Sequence, residues 1–183
     1  MGKCALIVVD TQVNMFDEAF SVYDGDRIIK TISSLINKAR KSKIDVIFIR
    51  NNGTVGEPDE PGTPGWHIHP SIYPKPGDLI MDKSGPDPFE GTDLQEKLDK
   101  LEIDHILVAG MQTEMCISTT VRQAAKRGFM VTLIEDGHTT FDWDEISAVE
   151  AIAKNNIKLS KYANLLNAQA VGQSYFNGCL DVT

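Results

Sequence analysis

Apolar positions along this chain fall into two patterns that alternate from one end to the other. Cys4-Ala5-Leu6-Ile7-Val8-Val9 is a continuous apolar run ending at Asp10, as expected of a strand covered on both faces. Ile28, Ile32, Leu35 and Ala39, with Ile29 and Ile36 beside them, recur at helical spacing from about Asp26 to Lys41. Val46 to Ile49 reads as a second strand and Leu79 to Met81 as a brief third ending near Lys83. Ile106 to Ala109 reads as a fourth and Met130 to Ile134 as a fifth, ending at Glu135-Asp136. Leu94, Leu98 and Leu101 mark a helix after Thr92. Ile117, Val121, Ala124 and Ala125 mark another, from Met115 to a stop at Gly128. Ile146, Val149, Ile152 and Ala153 form a further helical face, Ile157-Lys158-Leu159 a sixth strand, and Tyr162 to Val171 a short helix.

Strands that alternate with helices, each strand an apolar run, predict a single α/β domain over residues 1–183. The architecture expected is a three-layer α/β/α sandwich around a mostly parallel sheet of about six strands. Ligands of such open sheets bind beyond the carboxyl ends of the strands. One stretch interrupts the alternation. Asn51 to Gly77 carries Pro58, Pro61, Pro64, Pro70, Pro74 and Pro76 and is too long for an ordinary connection, so it reads as a functional loop rather than a linker.

Composition narrows the field by exclusion. The 183 residues, 42% hydrophobic, are enough for one sizeable core. A net charge of −8, from 26 acidic and 18 basic side chains, argues against a nucleic-acid groove. No apolar stretch is long enough to span a bilayer, no secretory segment follows Met1-Gly2-Lys3, and the sixth residue lacks the hydroxyl of a myristoylation signal. Cys4, Cys116 and Cys179 are too few and too scattered for a disulfide framework or a zinc knuckle. A soluble, cytoplasmic protein is expected, with no nucleic-acid or membrane partner. Neither Gly-x-Gly-x-x-Gly nor a Walker loop follows a strand, which removes the main support for nucleotide binding.

The candidate chemistry sits just past three strands: Asp10 after the first, Lys83 after the third and Cys116 in the turn after the fourth. Taken singly, Asp10 could be a turn former, Lys83 a solvated cation and Cys116 a small buried hydrophobe. Together they are a base, a cation and a nucleophile emerging at one sheet edge. A thiol at the start of a helix also lies among unpaired N–H groups at the positive end of the dipole. That placement is expected to favour the thiolate.

These residues resemble the isochorismatase-like cysteine hydrolases, the superfamily that includes nicotinamidases and N-carbamoylsarcosine amidases. The likeness runs from Val8-Val9-Asp10-Thr11-Gln12 through Gly62-Thr63-Pro64-Gly65 and His69-Pro70. It continues through Lys83, Phe89-Glu90-Gly91-Thr92-Asp93-Leu94 and Val108 to Cys116. It implies a Cys116-Asp10-Lys83 triad with Asp10 as proton acceptor and a cis peptide at Met111-Gln112. It also implies an oxyanion site from the backbone N–H groups of Gln112 and Cys116. The substrate pocket implied takes in Gln12, Phe16, Trp66, His67 and Phe89, with His69 holding the loop. Isochorismatases proper lack the nucleophilic cysteine, so Cys116 points to C–N hydrolysis of a small amide or ureide through a thioester. A vinyl-ether hydrolase and a non-catalytic binding protein on the same fold remain open. Nicotinamidases carry an Asp/His metal site after the second strand. Here Arg50-Asn51-Asn52 stands there, so no metal and no cofactor are expected. Family habit implies a homo-oligomer, a dimer or tetramer. His138 falls at the functional edge and His105 at the opposite one. Cys4 is expected to be inert in its strand and Cys179 a non-catalytic thiol.

Overall fold

The structure, a computed structural model, describes residues 3–17, 19–172 and 174–176; the reading of Cys179 lies outside them. In chain order the elements are β1 (Lys3–Val9), a small hairpin of β2 (Phe16–Asp17) and β3 (Phe20–Ser21), α1 (Gly25–Lys41), β4 (Asp45–Asn51) and β5 (Leu79–Lys83). They continue with α2 (Leu94–Lys100), β6 (Ile103–Met111), α3 (Ser118–Lys126), β7 (Met130–Thr139), α4 (Ala148–Leu159) and β8 (Asn164–Leu166). Six strands form one sheet in the order β5-β4-β1-β6-β7-β8, and every neighbouring pair is parallel.

The alternation of side chains along β1 serves both faces of that sheet. Cys4, Leu6 and Val8 enter a core shared with Ile28, Ile32, Leu35 and Ala39 of α1. Ala5, Ile7 and Val9 enter a second core with Leu94 and Leu98 of α2, Val121 and Ala124 of α3 and Leu159 of α4. Among the named elements, α1 thus covers one face and α2, α3 and α4 the other, giving the three layers expected. From β1 the chain builds outward through β4 to β5, then crosses back to β6 and builds the other way. The order therefore reverses between β1 and β6, the place where open α/β sheets leave a crevice at their carboxyl edge. Gly110, near the end of β6, permits the close approach there. Its φ is +127°, and an added Cβ would lie 2.1 Å from the Val9 carbonyl oxygen.

The C-terminal part departs from the sequence reading. Residues 157–159 are the last turn of α4, not a strand, and the predicted helix from Tyr162 to Val171 is replaced by the short strand β8 and turns. The buried positions of α4 are Ala148, Ala151, Asn155 and Leu159, spaced as one helical face, while Ile157 is 73% exposed. The apolar alternation at Ile157 and Leu159 therefore places those two side chains on opposite sides of a helix. A capping box, Ser147 with Glu150, starts that helix. The predicted face of Ile146, Val149, Ile152 and Ala153 is not the buried one; Val149 is half exposed.

Candidate active site

Three strand ends converge at the switch point. Asp10 follows β1, Lys83 closes β5, and Cys116 lies in a single π-helical turn, Thr113–Ile117, between β6 and α3. That turn shortens the predicted helix, so α3 proper begins at Ser118. The backbone of Asp10 is left-handed, with φ +45°, a conformation uncommon for a non-glycine residue and frequent at functional sites. Its N–H donates to the Ile49 carbonyl at 2.9 Å. The Met111–Gln112 peptide bond is cis.

β4 separates β5 from β1, so the Lys83 side chain has to cross it. The Lys83 ammonium donates to Asp10 Oδ2 at 2.8 Å, to Asn51 Oδ1 at 3.2 Å and to Cys116 Sγ at 3.4 Å. Asn51, the last residue of β4, lies directly beside Lys83 in the sheet register. Its Nδ2 donates to Asp59 Oδ2 at 2.7 Å. Lys83 is 2% exposed and Asp10 1%. A buried ion pair of this kind adds little stability for the desolvation it requires, so its presence points to use rather than to packing.

The charges of the cluster are interdependent. Burial raises the Asp10 carboxyl above its ordinary range, while the Lys83 charge works against it. Burial pulls the Lys83 ammonium down, but the charges and hydrogen bonds of Asp10 and Cys116 outweigh it and hold its pKa above the usual value. Burial and the adjacent Asp10 carboxylate push the Cys116 thiol up to about 12, with Lys83 only partly opposing them. The expectation of a favoured resting thiolate is thus overturned. One carboxylate and one ammonium already balance in this buried space, and a thiolate would leave it with an unpaired negative charge. Lys83 holds Asp10 Oδ2, which leaves Oδ1, without a conventional partner among the described residues, as the acceptor open to the thiol proton.

The turn that carries Cys116 is anchored on both sides. Thr113 Oγ1 bonds His138 Nδ1 at 2.8 Å, and His138 Nε2 bonds Asn156 Oδ1 at 2.9 Å. Burial lowers His138 to about 4, which keeps the ring neutral at this functional edge. Glu114 Oε1 accepts from Thr140 Oγ1 at 2.7 Å and Trp143 Nε1 at 3.1 Å. His105, at the opposite edge, contacts Thr132 Oγ1 at 2.9 Å.

A cavity of about 620 Å³ opens over Cys116. Its lining combines Met15, Pro58, Pro86, Met115 and Phe141 with Asp10, Asn14, Asn51, Asn52, Glu57, Asp59 and Gln112. The proline-rich segment supplies much of one wall, as its length suggested. The five residues named from sequence as pocket walls lie outside this lining. Gln12 is fully buried and clamps the loop, with Nε2 donating to the carbonyls of Asn51 and Trp66 and Oε1 accepting the Asn51 N–H. Phe16 packs on His69, ring centroids 4.7 Å apart, beside a separate groove along α1. Trp66 donates from Nε1 to Asn52 Oδ1 at 2.7 Å beneath the Arg50 guanidinium, so it supports a lining residue without being one. The His67 carbonyl accepts the Val13 N–H, and the ring leans on Trp66. Phe89 is buried against Phe129 under Arg127. Trp66 and His67 are structural supports because Gln12 and Val13 bind their backbone carbonyls and pin that part of the loop.

The residues missed from sequence are Asn51 and Asp59, which steady Lys83, and the walls Asn14, Met15, Met115 and Phe141. Asn51 stands at a strand end, as the triad residues do, and that position was the available signal. The side-chain oxygens of Asn51 and Asn52 accept from Lys83 and Trp66, Asn51 Nδ2 donates to Asp59, and no cluster of three metal-ligating side chains occurs among the described residues. These residues do not fit a metal centre.

An α/β sheet with a thiol, a carboxylate and an ammonium meeting at its switch point defines the class of site. The isochorismatase domain matches residues 4–159, and the chain belongs to that family. A streptothricin hydrolase of Streptomyces noursei is 35% identical over 138 residues, which are 75% of this chain and 55% of the relative. The chain thus spans about half the length of that curated relative. Nicotinamidase 3 of Arabidopsis thaliana is 28% identical over 161 residues, 75% of this chain and 74% of the relative. An isochorismatase structure from Pseudomonas putida superposes with a TM-score of 0.86 at 27% identity, covering 91% of this chain and 89% of the other. No helix among the described residues is long and apolar enough to cross a membrane.

Proposed function

We propose that this chain is a cysteine hydrolase that cleaves the C–N bond of a small amide or ureide through a covalent thioester. The observation that carries the reading is Lys83 Nζ in hydrogen-bond reach of both Asp10 Oδ2 and Cys116 Sγ. Relatives named as a nicotinamidase and a streptothricin hydrolase support it. Because the thiol rests protonated, Asp10 takes its proton as Sγ adds to the substrate carbonyl carbon. Lys83 keeps the cluster neutral while that proton moves. The backbone N–H groups of Gln112 and Cys116 receive the oxyanion in this reading, an interaction typically worth roughly 10²–10³ in rate for one donor. The C–N bond then breaks, the leaving nitrogen takes the proton from Asp10, and the acyl group remains on sulfur. Water gives a proton to Asp10 and adds to the thioester, and the departing thiolate regains that proton.

An ammonia-release screen over amides and ureides, with Cys116→Ala as the blank, tests this reading. Intact mass under turnover should show Cys116 carrying the acyl group. Ammonia release that survives Cys116→Ala would reject the thioester mechanism. Assembly as a dimer or tetramer belongs to the same reading, and light scattering tests it.

A further inference from the structure

The cavity over Cys116 is one-sided in charge. Its lining holds three carboxylates, Asp10, Glu57 and Asp59, and no Arg, Lys or His among the described residues. Lys83 is buried and committed to Asp10, Asn51 and Cys116. Arg50 is spent elsewhere, over the Trp66 ring and bonded to Asp82. Burial is the main influence on the Asp10 carboxyl, and the Asp59 charge adds to it, so the field of that wall reaches the reacting groups.

Hydrogen-bond capacity points the same way. Asn14 Oδ1 and Gln112 Oε1 both belong to lining residues, and both are buried acceptors without a partner among the described residues. Unpaired buried acceptors are unfavourable, and both oxygens are shielded from water, so a ligand N–H relieves them when the amide turns toward the cavity. An entering carboxylate finds the opposite: it loses hydration, meets Glu57 and Asp59, and has no cation to pair with.

We propose that this cavity selects small amides or ureides whose remainder is uncharged or cationic and rich in N–H donors, and rejects carboxylate-bearing ones. Glu57 and Asp59 are the specificity-determining carboxylates, and the amides of Asn14 and Gln112 turn to accept ligand N–H groups. The word substrate rests on the hydrolase reading above; the charge preference of the cavity does not.

Two measurements separate these. In the first, Cys116 of the intact chain is modified by cationic (trimethylammonioethyl) and anionic (sulfonatoethyl) methanethiosulfonates, followed by peptide mass. The ratio of rates is referred to the same thiol in the urea-unfolded chain. The cation-over-anion ratio should exceed the unfolded reference by about tenfold at low salt and shrink at about 1 M salt. Glu57 is exposed, so Glu57→Gln is expected to fold normally and to lower the ratio severalfold; Glu57→Lys should lower it further. A ratio at or below the reference, or one that neither Glu57 substitution moves, overturns the proposal. In the second, ammonia release is compared for β-alaninamide, butyramide and succinamate, which differ only in a remote ammonium, methyl or carboxylate. Succinamate should be the slowest, and its being the fastest overturns the proposal. If none of the three is hydrolysed while the reagent ratio stays high, the hydrolase reading loses support and the selectivity stands.

Discussion

Asn51 Oδ1 accepts from the Lys83 ammonium at 3.2 Å, from the one strand that separates Lys83 from Asp10. Asp59 holds the other end of that amide at 2.7 Å, so the lysine crosses β4 on a fixed rest. Removing the rest with Asn51→Ala deletes a hydrogen bond to a charged group, worth about 1.5–3 kcal/mol. The expected result is a fall in kcat of about tenfold or more with a smaller change in KM. Asn51→Asp, which restores an acceptor but adds a charge beside Asp10, should shift the pH profile upward. An unchanged kcat in the alanine variant would reduce Asn51 to a loop residue.

The thiol can be tested without knowing the substrate. Cys116 is pushed up to about 12 by burial and by Asp10, with Lys83 opposing. At neutral pH, iodoacetamide should therefore modify Cys116 more slowly in the folded chain than in urea. Asp10→Asn removes a raising influence, so its alkylation profile should move to lower pH. Lys83→Met removes a lowering one and should move it higher. Shifts of the same sign in both variants would contradict this electrostatic account.

The same shift is a statement about stability in alkali. The ordinary thiol value is 9.0 and the folded one about 12, so the unfolded chain releases this proton first. Stability from this group is complete below pH 9 and declines as pH rises toward 12, by up to ~1.4 kcal/mol per pH unit. Urea midpoints between pH 9 and 11 should fall more steeply for the native chain than for Cys116→Ala.

His138 sets the acid side. Burial lowers it from 6.5 to about 4, so the unfolded chain gains a proton first as pH falls. Its contribution is complete above pH 6.5 and is lost on the way to pH 4. His138→Gln should flatten the decline of the urea midpoint across that window. The variant should also loosen the turn at Thr113, which bonds the ring at 2.8 Å.

The two apolar residues at the end of α4 should behave oppositely. Leu159 is 1% exposed and Ile157 73%. Leu159→Ala should destabilise by about 2–5 kcal/mol, and Ile157→Lys should stay within about 0.5 kcal/mol. Thermal or urea unfolding of the two variants decides it. Equal losses would restore the strand reading of these residues.

Much of the fold was determined locally. The runs at Cys4–Val9 and Val46–Ile49, and the stripe from Ile28 to Ala39, are long enough that period alone separates strand from helix. Their order then dictates a parallel sheet with helices on both faces. Asp10, Lys83 and Cys116 were visible because Asp10 directly follows a strand, Lys83 closes one and Cys116 lies in the turn after one, and a parallel sheet brings such positions to one edge. Short elements were not legible in this way. Three residues of β8 carry no period, and Ile157 with Leu159 mimics one. The identity of the cavity walls was decided by tertiary structure, because a long loop places its side chains through backbone contacts that no local pattern encodes. Gln12, binding the carbonyls of Asn51 and Trp66, turns the aromatics of that loop into supports and leaves Asn51, Glu57 and Asp59 facing the thiol's cavity. The proton on Cys116 was likewise beyond the sequence. Helix position and a nearby lysine argue for a thiolate, but burial and the carboxylate beside it are set only when the three strand ends meet.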